Sequence, residues 1–230
     1  MKLLVIDTAL GACTAAVFED DRRLGGRSEP MAKGHQERLG GLVRDAMAEA
    51  RAAAGVTFDD LDRIGVTVGP GSFTGLRVGM AFAQGLGAAL DRPVVGLSTL
   101  AGLAASLADK SGPVAALIDA RRGQVYGRLF LDGRPQSEDA AWTLEEAARR
   151  IAASGAPARL VGNGAPVLLE AHPELRLART EALAAPSPEA LARLTLAADP
   201  ASNPPRPLYL RAPDATPPSR LPGQPRQPAA

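Results

Sequence analysis

The sequence predicts an α/β fold made of two small subdomains with mixed sheets. Short apolar runs typical of strands open the chain and recur in its second half. Between them, a glycine-rich loop at residues 69–79 joins an apolar strand to an apolar helix. Strands that alternate with helices favour such an architecture. We place the subdomains at residues 1–100 and 101–212, and we expect the proline-rich tail at 213–230 to be disordered.

The first subdomain begins with an antiparallel meander. Its three apolar runs are separated by short turns, and the helix that follows has apolar positions at helical spacing and a glycine, Gly55, suited to its C-cap. The predicted strands are 2–6, 14–19, 24–29, 63–68 and 94–97, and the predicted helices are 34–54 and 76–90.

The second subdomain repeats the alternation of strands and helices. Ser98 and Thr99 can cap its first helix, and Thr143 with Glu146 has the spacing of a capping box. The segment Leu208–Arg211 is an apolar island in a proline-rich region, and we expect it to dock back on the fold. The predicted helices are 99–107, 143–153 and 188–196, and the predicted strands are 114–118, 124–131 and 160–162.

The glycine-rich loop is a candidate phosphate site. Its glycines allow positive φ and close approach, and Ser72 and Thr74 are suited to cap the helix. Free N–H groups and the helix dipole at such a start favour an anion. A tight strand-to-helix connection without a ligand explains the same residues. The candidate residues, with the acid that ends the first strand, are Gly69, Gly71, Ser72, Thr74, Gly75 and Asp7.

The helix after this loop is apolar on all sides. Between Met80 and Leu90 its one polar side chain is Gln84, which indicates burial on more than one side. One face can cover the sheet, and the other can pack on a second helix of this chain or of another chain. A stripe of small residues would allow close helix contact, namely Gly75, Gly79, Ala83 and Gly87.

Composition excludes several classes of protein. The net charge is +1, so no bulk charge argues for a nucleic-acid or membrane surface. The adjacent Arg121 and Arg122, at a predicted hairpin tip, could contact RNA or simply be solvated. Cys13 is the single cysteine, so no intrachain disulfide forms, and we expect it to be a core residue. No apolar run reaches the ~20 residues of a membrane span, which predicts a cytoplasmic protein.

Several motifs, in the right order, resemble those of the bacterial TsaB family, formerly YeaZ, which has the actin/hexokinase-like fold. The most specific is Gly-Pro-Gly-Ser-Phe-Thr-Gly-Leu-Arg-x-Gly, found at Gly69–Gly79. The resemblance extends from residue 3 to about 211. The other matching stretches are Leu4–Thr8, His35–Leu39, Asp119–Arg122 with Val125–Tyr126, and Pro207–Arg211. Three positions depart from the family pattern, namely Ala9, Gln36 and Gly41, and they put a hydroxyl-based role at the first hairpin in doubt.

The resemblance implies a role in making threonylcarbamoyladenosine in tRNA. The paralogous catalytic subunit, TsaD, carries a His-x-x-x-His metal pair, and two imidazoles four residues apart can share an ion. Here Thr99 and Leu103 stand at what look like those positions, and His35 and His172 are far apart. No nucleophile with a supporting base is visible. We therefore expect no catalytic residue, no metal and no cofactor.

The expected function is a non-catalytic activating subunit that binds TsaD through a helical bundle. TsaE would join the larger complex, tRNA would be contacted indirectly, and a homodimer is left open. An independent nucleotide-dependent transferase or a glycoprotease-like peptidase is the alternative. The predicted partner interface is His35, Leu39, Leu42, Met47, Leu76, Gly79, Met80, Ala83 and Gly87.

Overall fold

The structure is a computed structural model that describes residues 1–211, and two mixed sheets organise these residues. In the first sheet the strand order is β3-β2-β1-β4-β5, with the meander β1–β3 antiparallel and β1, β4 and β5 mutually parallel. Its strands are β1 (Lys2–Asp7), β2 (Ala12–Glu19), β3 (Arg22–Pro30), β4 (Arg63–Gly69) and β5 (Val94–Ser98). The predicted fold class is confirmed.

The second sheet has the order β11-β10-β6-β7-β8, with β9 also paired to β7. β6 and β7 are antiparallel, and β10 is parallel to both β6 and β11. Its strands are β6 (Pro113–Arg121), β7 (Gln124–Leu131), β8 (Arg134–Pro135), β9 (Ala140–Thr143), β10 (Ala158–Val161) and β11 (Leu177–Glu181).

Helices cover both faces of each sheet, which explains the unbroken apolar run of β1. Leu4 and Ile6 pack beneath the first two helices, while Leu3 and Val5 pack on the opposite face against the last helix. The third helix lies on one face of the second sheet, and the fourth and fifth lie on the other. The helices are α1 (His35–Ala54), α2 (Phe73–Leu90), α3 (Thr99–Ala105), α4 (Leu144–Ala152), α5 (Gly164–Ala171) and α6 (Pro188–Ala197).

Four of these strands and helices were not predicted from the sequence, and one of them, β8, is only two residues long. α5 has Pro166 in its first turn, and the preceding Asn163-Gly164 pair is typical of a turn. β9 is only four residues long, and β11 is a mostly exposed edge strand without apolar alternation. Short or exposed elements leave no periodic apolar signal, because their pairing comes from neighbours distant in sequence.

The predicted second subdomain, 101–212, is not one continuous unit. α6 returns to the first sheet, where it packs against β1, β4, β2 and β5. The segment that follows, residues 203–211, also returns to the first subdomain and ends beside the second sheet, so we call it the C-terminal strap. The Leu208 N–H donates to the Val68 carbonyl at 2.8 Å, which confirms the predicted docking of this apolar island. The predicted disordered tail, 213–230, lies outside the described residues.

Within residues 1–211, no helix is long and apolar enough to cross a membrane.

Candidate functional site

The turn that follows β1 lies directly on the glycine-rich loop. The Thr8 hydroxyl donates to the Gly75 carbonyl at 2.7 Å, and the Ser72 N–H donates to the Ala9 carbonyl at 2.7 Å. A Cβ added at Gly75 would overlap the Thr8 carbonyl oxygen, and one at Gly71 would overlap the Ala9 carbonyl oxygen. The loop is therefore rich in glycine because another stretch of backbone packs against it.

This packing brings the backbone of the hairpin into direct contact with the loop at Gly71 and Gly75. Ser72 is the N-cap of α2, and its hydroxyl accepts the Gly75 N–H at 3.3 Å, as predicted. Thr74 was wrongly predicted as a cap, because it lies inside the first turn with its side chain exposed. The C-terminal strap adds a further close contact, since a Cβ at Gly69 would lie 2.9 Å from the Leu208 carbonyl oxygen. The close packing favours a tight strand-to-helix connection over a phosphate cradle.

Asp7 ends β1 in a fully buried position beneath the loop. One carboxylate oxygen accepts from the Ala9 N–H at 2.9 Å and from the Thr67 hydroxyl at 2.6 Å. The other oxygen has no hydrogen-bond partner within residues 1–211. Burial raises the pKa of this carboxyl above its ordinary value of 3.8, although the two hydrogen bonds and the nearby His35 oppose the shift. Folding thus favours the neutral form of this acid more than water does.

The raised pKa of Asp7 predicts a specific dependence of stability on pH. Because folding favours its neutral form, the Asp7 carboxyl contributes its full stabilisation of the folded state below pH 3.8. This stabilisation is lost as the pH rises from 3.8 through the higher pKa of the folded state. We expect the Tm of the native protein, measured relative to that of Asp7→Asn, to fall as pH rises from 4 to 8. Each kcal/mol should correspond to about 2–4 °C in a chain of this size. Parallel thermal unfolding of both proteins tests this, and a constant difference in Tm would contradict it.

Cys13 lies close to this acid on β2 and is also buried. Burial, reinforced by the charge of Asp7, raises the pKa of the thiol to about 11. A thiol with so high a pKa carries almost no thiolate at neutral pH. Cys13 is a core residue, as predicted.

The residues of α1 predicted to meet a partner face the interior instead. The His35 ring is buried, with its Nε2 atom 3.2 Å from the Ala12 carbonyl oxygen. Leu39, Leu42 and Met47 belong to the core beneath the first sheet. Their helical spacing identified the apolar stripe of α1 correctly, but that stripe covers this chain's own sheet. Burial within this chain leaves these side chains little exposed surface, although Leu39 also lines a groove described below, and their assignment to a partner interface stays a prediction.

The small-residue stripe of α2 also faces the sheet. A Cβ at Gly79 would overlap the Thr8 hydroxyl oxygen, and one at Gly87 would overlap a methyl group of Val94. The remaining stripe residues and their apolar neighbours are likewise buried, namely Gly75, Ala83, Leu76 and Met80. The stripe allows the helix to approach β1 and β4. The assignment of Leu76, Gly79, Met80, Ala83 and Gly87 to a partner interface is not favoured by this burial and stays a prediction.

The opposite side of α2 is exposed and apolar. With the start of α1 it forms a groove of about 490 Å³, which we call the α1–α2 groove. Phe73 is 54% exposed at one end of it. A Cβ at Gly40 of α1 would lie 3.8 Å from the Phe82 ring, so the two helices are in contact beside the groove. Its lining residues are Gln36, Leu39, Phe73, Thr74, Arg77, Val78, Ala81 and Phe82.

Sequence reasoning missed this exposed face, although the sequence contains a signal for it. Phe73, Arg77 and Ala81 recur every four residues, as the glycine stripe does, and lie on a different side of the helix. Glycine is favoured where another backbone approaches closely, so the sequence predicts that the glycine stripe packs against the sheet and that the opposite side is exposed.

Arg121 and Arg122 lie at the tip of the β6–β7 hairpin, and both are exposed. Both have positive φ, of 63° and 54°. The Arg121 N–H donates to an Asp119 carboxylate oxygen at 2.8 Å, and its guanidinium lies 3.7 Å from the other carboxylate oxygen. The tip is therefore not purely cationic, and its contact with RNA stays a prediction.

The positions that resemble the paralogue's metal pair lie inside the fold. Thr99 and Leu103 are both fully buried on α3, and Leu103 is part of the core beneath the second sheet. In the part of the chain that the structure describes, no three His, Cys, Asp or Glu side chains are grouped as a metal site requires.

Comparison with known proteins finds a family model and several similar proteins. The family model described as "TsaD: tRNA N6-adenosine threonylcarbamoyltransferase" matches residues 25–200. An Escherichia coli K12 protein named "tRNA threonylcarbamoyladenosine biosynthesis protein TsaB" is 34% identical over 148 residues, which are 64% of this chain and 60% of that protein. An uncharacterized Mycobacterium tuberculosis protein is 37% identical over 219 residues, 94% of each chain.

Solved structures agree with these matches over nearly the whole fold. The structure titled "YeaZ from Pseudomonas aeruginosa" has a TM-score of 0.73 and 30% identity, and the match covers 91% of this chain and 99% of that one. A second Pseudomonas aeruginosa structure, of an uncharacterized protein with similarity to peptidase YeaZ, has a TM-score of 0.77 and 32% identity with the same coverage.

Proposed function

The chain belongs to the TsaB (YeaZ) family, and from this membership we propose that it acts in the biosynthesis of tRNA threonylcarbamoyladenosine as a non-catalytic subunit that binds and activates TsaD. The observation that carries the proposal is the exposed apolar face of α2 with its groove. A surface of this kind, on an otherwise well-covered fold, is typical of a protein interface.

The geometry beneath the glycine-rich loop supports a non-catalytic role. The backbone of Thr8 and Ala9 packs directly on the loop at Gly75 and Gly71, which favours a structural role for the glycines. Thr99 and Leu103 cannot supply imidazole ligands, and both are fully buried. The raised pKa of the Cys13 thiol also argues against a cysteine nucleophile.

TsaD is the proposed partner because the family model of that paralogue matches this chain. Two chains of one fold can pair through equivalent helices, so an apolar groove between α1 and α2 has a natural counterpart there. The proposal has three further parts. TsaE joins the larger complex, tRNA is contacted indirectly, and the chain forms a homodimer in the absence of TsaD. Arg121 and Arg122 stay the candidate residues for any direct contact with RNA, which the proposal leaves open.

Reconstitution tests the proposal directly. We expect TsaD, TsaE, ATP, a threonylcarbamoyl donor and tRNA to produce modified tRNA only when this chain is added, and we expect this chain without TsaD to produce none. The measured quantity is threonylcarbamoyladenosine in digested tRNA, by mass spectrometry. Modification at an equal rate without this chain would contradict the activating role.

The enzymatic alternative rests on the buried Asp7, whose second carboxylate oxygen has no partner within residues 1–211. A nucleotide-dependent transferase would bind ATP and magnesium tightly as an isolated chain and turn ATP over. We expect calorimetry to detect neither. Tight binding with turnover would favour the alternative and would overturn the non-catalytic assignment.

A further inference from the structure

Two exposed aromatic rings from distant parts of the sequence meet at the end of the α1–α2 groove. Phe73, at the start of α2, and Tyr209, in the C-terminal strap, are 54% and 47% exposed, and their ring centroids are 5.5 Å apart. Among residues 1–211, large apolar side chains this exposed are few. Isolated ones are ordinary, whereas two in contact form a patch that is costly to leave in water.

Arg77 joins this pair and adds its charge. Its guanidinium lies 3.8 Å from the centre of the Phe73 ring, and its Nε atom donates to the Tyr209 hydroxyl at 3.3 Å. Arg77 is the one charged residue of α2. Its two terminal amino groups make no hydrogen bond to residues 1–211, so within the described part of the chain they are left for another acceptor.

The C-terminal strap holds Tyr209 in place before any partner arrives. Backbone groups of the strap bond to β5, α2 and β4, and the Arg211 side chain reaches the second sheet. A side chain that is already positioned loses little conformational freedom on binding. The hydrogen bonds are Gly96 N–H to the Asn203 carbonyl at 2.9 Å, Gln84 Nε2 to the Pro205 carbonyl at 2.8 Å, Leu208 N–H to the Val68 carbonyl at 2.8 Å, and Arg211 Nη1 to the Ala120 carbonyl at 3.0 Å.

We propose that Phe73, Arg77 and Tyr209 anchor the partner of this chain, so that the C-terminal strap completes the docking surface that α1 and α2 begin. Tyrosine and arginine in a packed cluster are the residue types that dominate binding energy at protein interfaces. The anchor and the groove are continuous, because Phe73 and Arg77 also line the groove. The inference rests on the proposed function, and it adds a segment of the chain that helix packing alone would not include.

Charge complementarity identifies the chemistry of the partner. Covering Arg77 without a counter-charge would leave a desolvated cation, which is strongly unfavourable. The partner therefore presents a carboxylate to the terminal amino groups of Arg77, beside an apolar side chain that enters the groove. A second copy of this chain would bring no acid from α2, since α2 contains none, but it would bring Glu37 from the first turn of α1. The occupant we propose is the TsaD of the proposed function, and self-association through Glu37 is the outcome that the test must distinguish from it.

Affinity measurements with the full chain and TsaD test the anchor. We expect Tyr209→Ala and Arg77→Glu each to weaken binding by about 30-fold or more, as losses at interface anchors do. Tyr209→Phe keeps the ring and should change affinity by no more than about threefold, since one exposed hydrogen bond is lost. Leu131→Ala is the matched control, because Leu131 is 43% exposed on the second sheet, and it should bind as the native chain does.

The outcomes separate this inference from the proposed function. If the native chain binds TsaD and both Tyr209→Ala and Arg77→Glu bind equally well, the anchor is wrong and the proposed function stands. If the native chain does not bind TsaD, the proposed function fails and the inference fails with it. If the variants weaken only self-association, measured by sedimentation, the occupant is a second copy. Charge reversal of the facing acid on TsaD should restore binding to Arg77→Glu, and failure of every such reversal would overturn the predicted carboxylate.

Discussion

Gly75→Ala is expected to destabilise the isolated chain by about 3 kcal/mol or more, which is at the upper end of the cost of overpacking. The added methyl group would overlap the Thr8 carbonyl oxygen, which is backbone and cannot rotate away. The neighbouring Thr8 hydroxyl bonds to the Gly75 carbonyl, so a shift of either segment also strains that bond. The Tm should fall by about 6–12 °C.

Gly85→Ala is the matched control for this experiment. Gly85 lies on the same helix, and no atom outside the helix backbone lies within 4 Å of its added Cβ. Alanine there should stabilise the helix by up to about 1 kcal/mol, because alanine has the better helix propensity. Equal Tm values for Gly75→Ala and Gly85→Ala would contradict the packing of the first hairpin on the loop.

Because the glycine stripe packs against the sheet, a binding defect caused by a substitution in the stripe does not identify the partner surface. A bulky residue at Gly79 or Ala83 would abolish association with TsaD whether or not these residues touch it, because both are buried against the sheet. Loss of binding by such variants would report loss of folding. A test of the partner surface needs a substitution at an exposed position.

Ala81→Arg is that substitution, and we expect it to abolish measurable association with TsaD while leaving the fold intact. Ala81 is exposed in the middle of the α1–α2 groove. An arginine is a good helix former, so the isolated chain should keep its Tm within a few degrees. In the complex, the long side chain would fill the groove and place a second cation one turn from Arg77, which should lower affinity by at least about 30-fold.

The control for Ala81→Arg carries the same change on the other subdomain. Ala171 is exposed at the end of α5, where an added cation also favours the helix dipole. Ala171→Arg should bind TsaD and support tRNA modification as the native chain does. If Ala81→Arg keeps its Tm and binds TsaD as well as the native chain does, the partner does not bind at the α1–α2 groove.

The sequence by itself determined the secondary structure of the first subdomain and most of the second. Apolar runs located β1–β7, and apolar spacing and capping residues located most of the helices, because burial leaves both kinds of pattern in local sequence. The family motifs then determined the fold class. Elements that depend on distant neighbours, such as β9 and β11, leave no such spacing, so they escaped prediction.

Only the tertiary structure decided which face of α2 is buried. The sequence contains two stripes of period four on this helix, one of glycine and alanine and one that includes Phe73, Arg77 and Ala81. Periodicity shows that a stripe exists, but it does not show what covers it. The close approach of Thr8 and β4 assigns the glycine stripe to this chain's own sheet.

The position of Tyr209 beside Phe73 was likewise beyond sequence reasoning. The two residues are separated by most of the chain, and the apolar island around Tyr209 predicted docking without predicting where. Long-range contacts of this kind arise from the packing of the whole fold, which brings the C-terminal strap across β4 and α2. Local sequence therefore determined the elements, and their packing decided which side chains remain exposed to a partner.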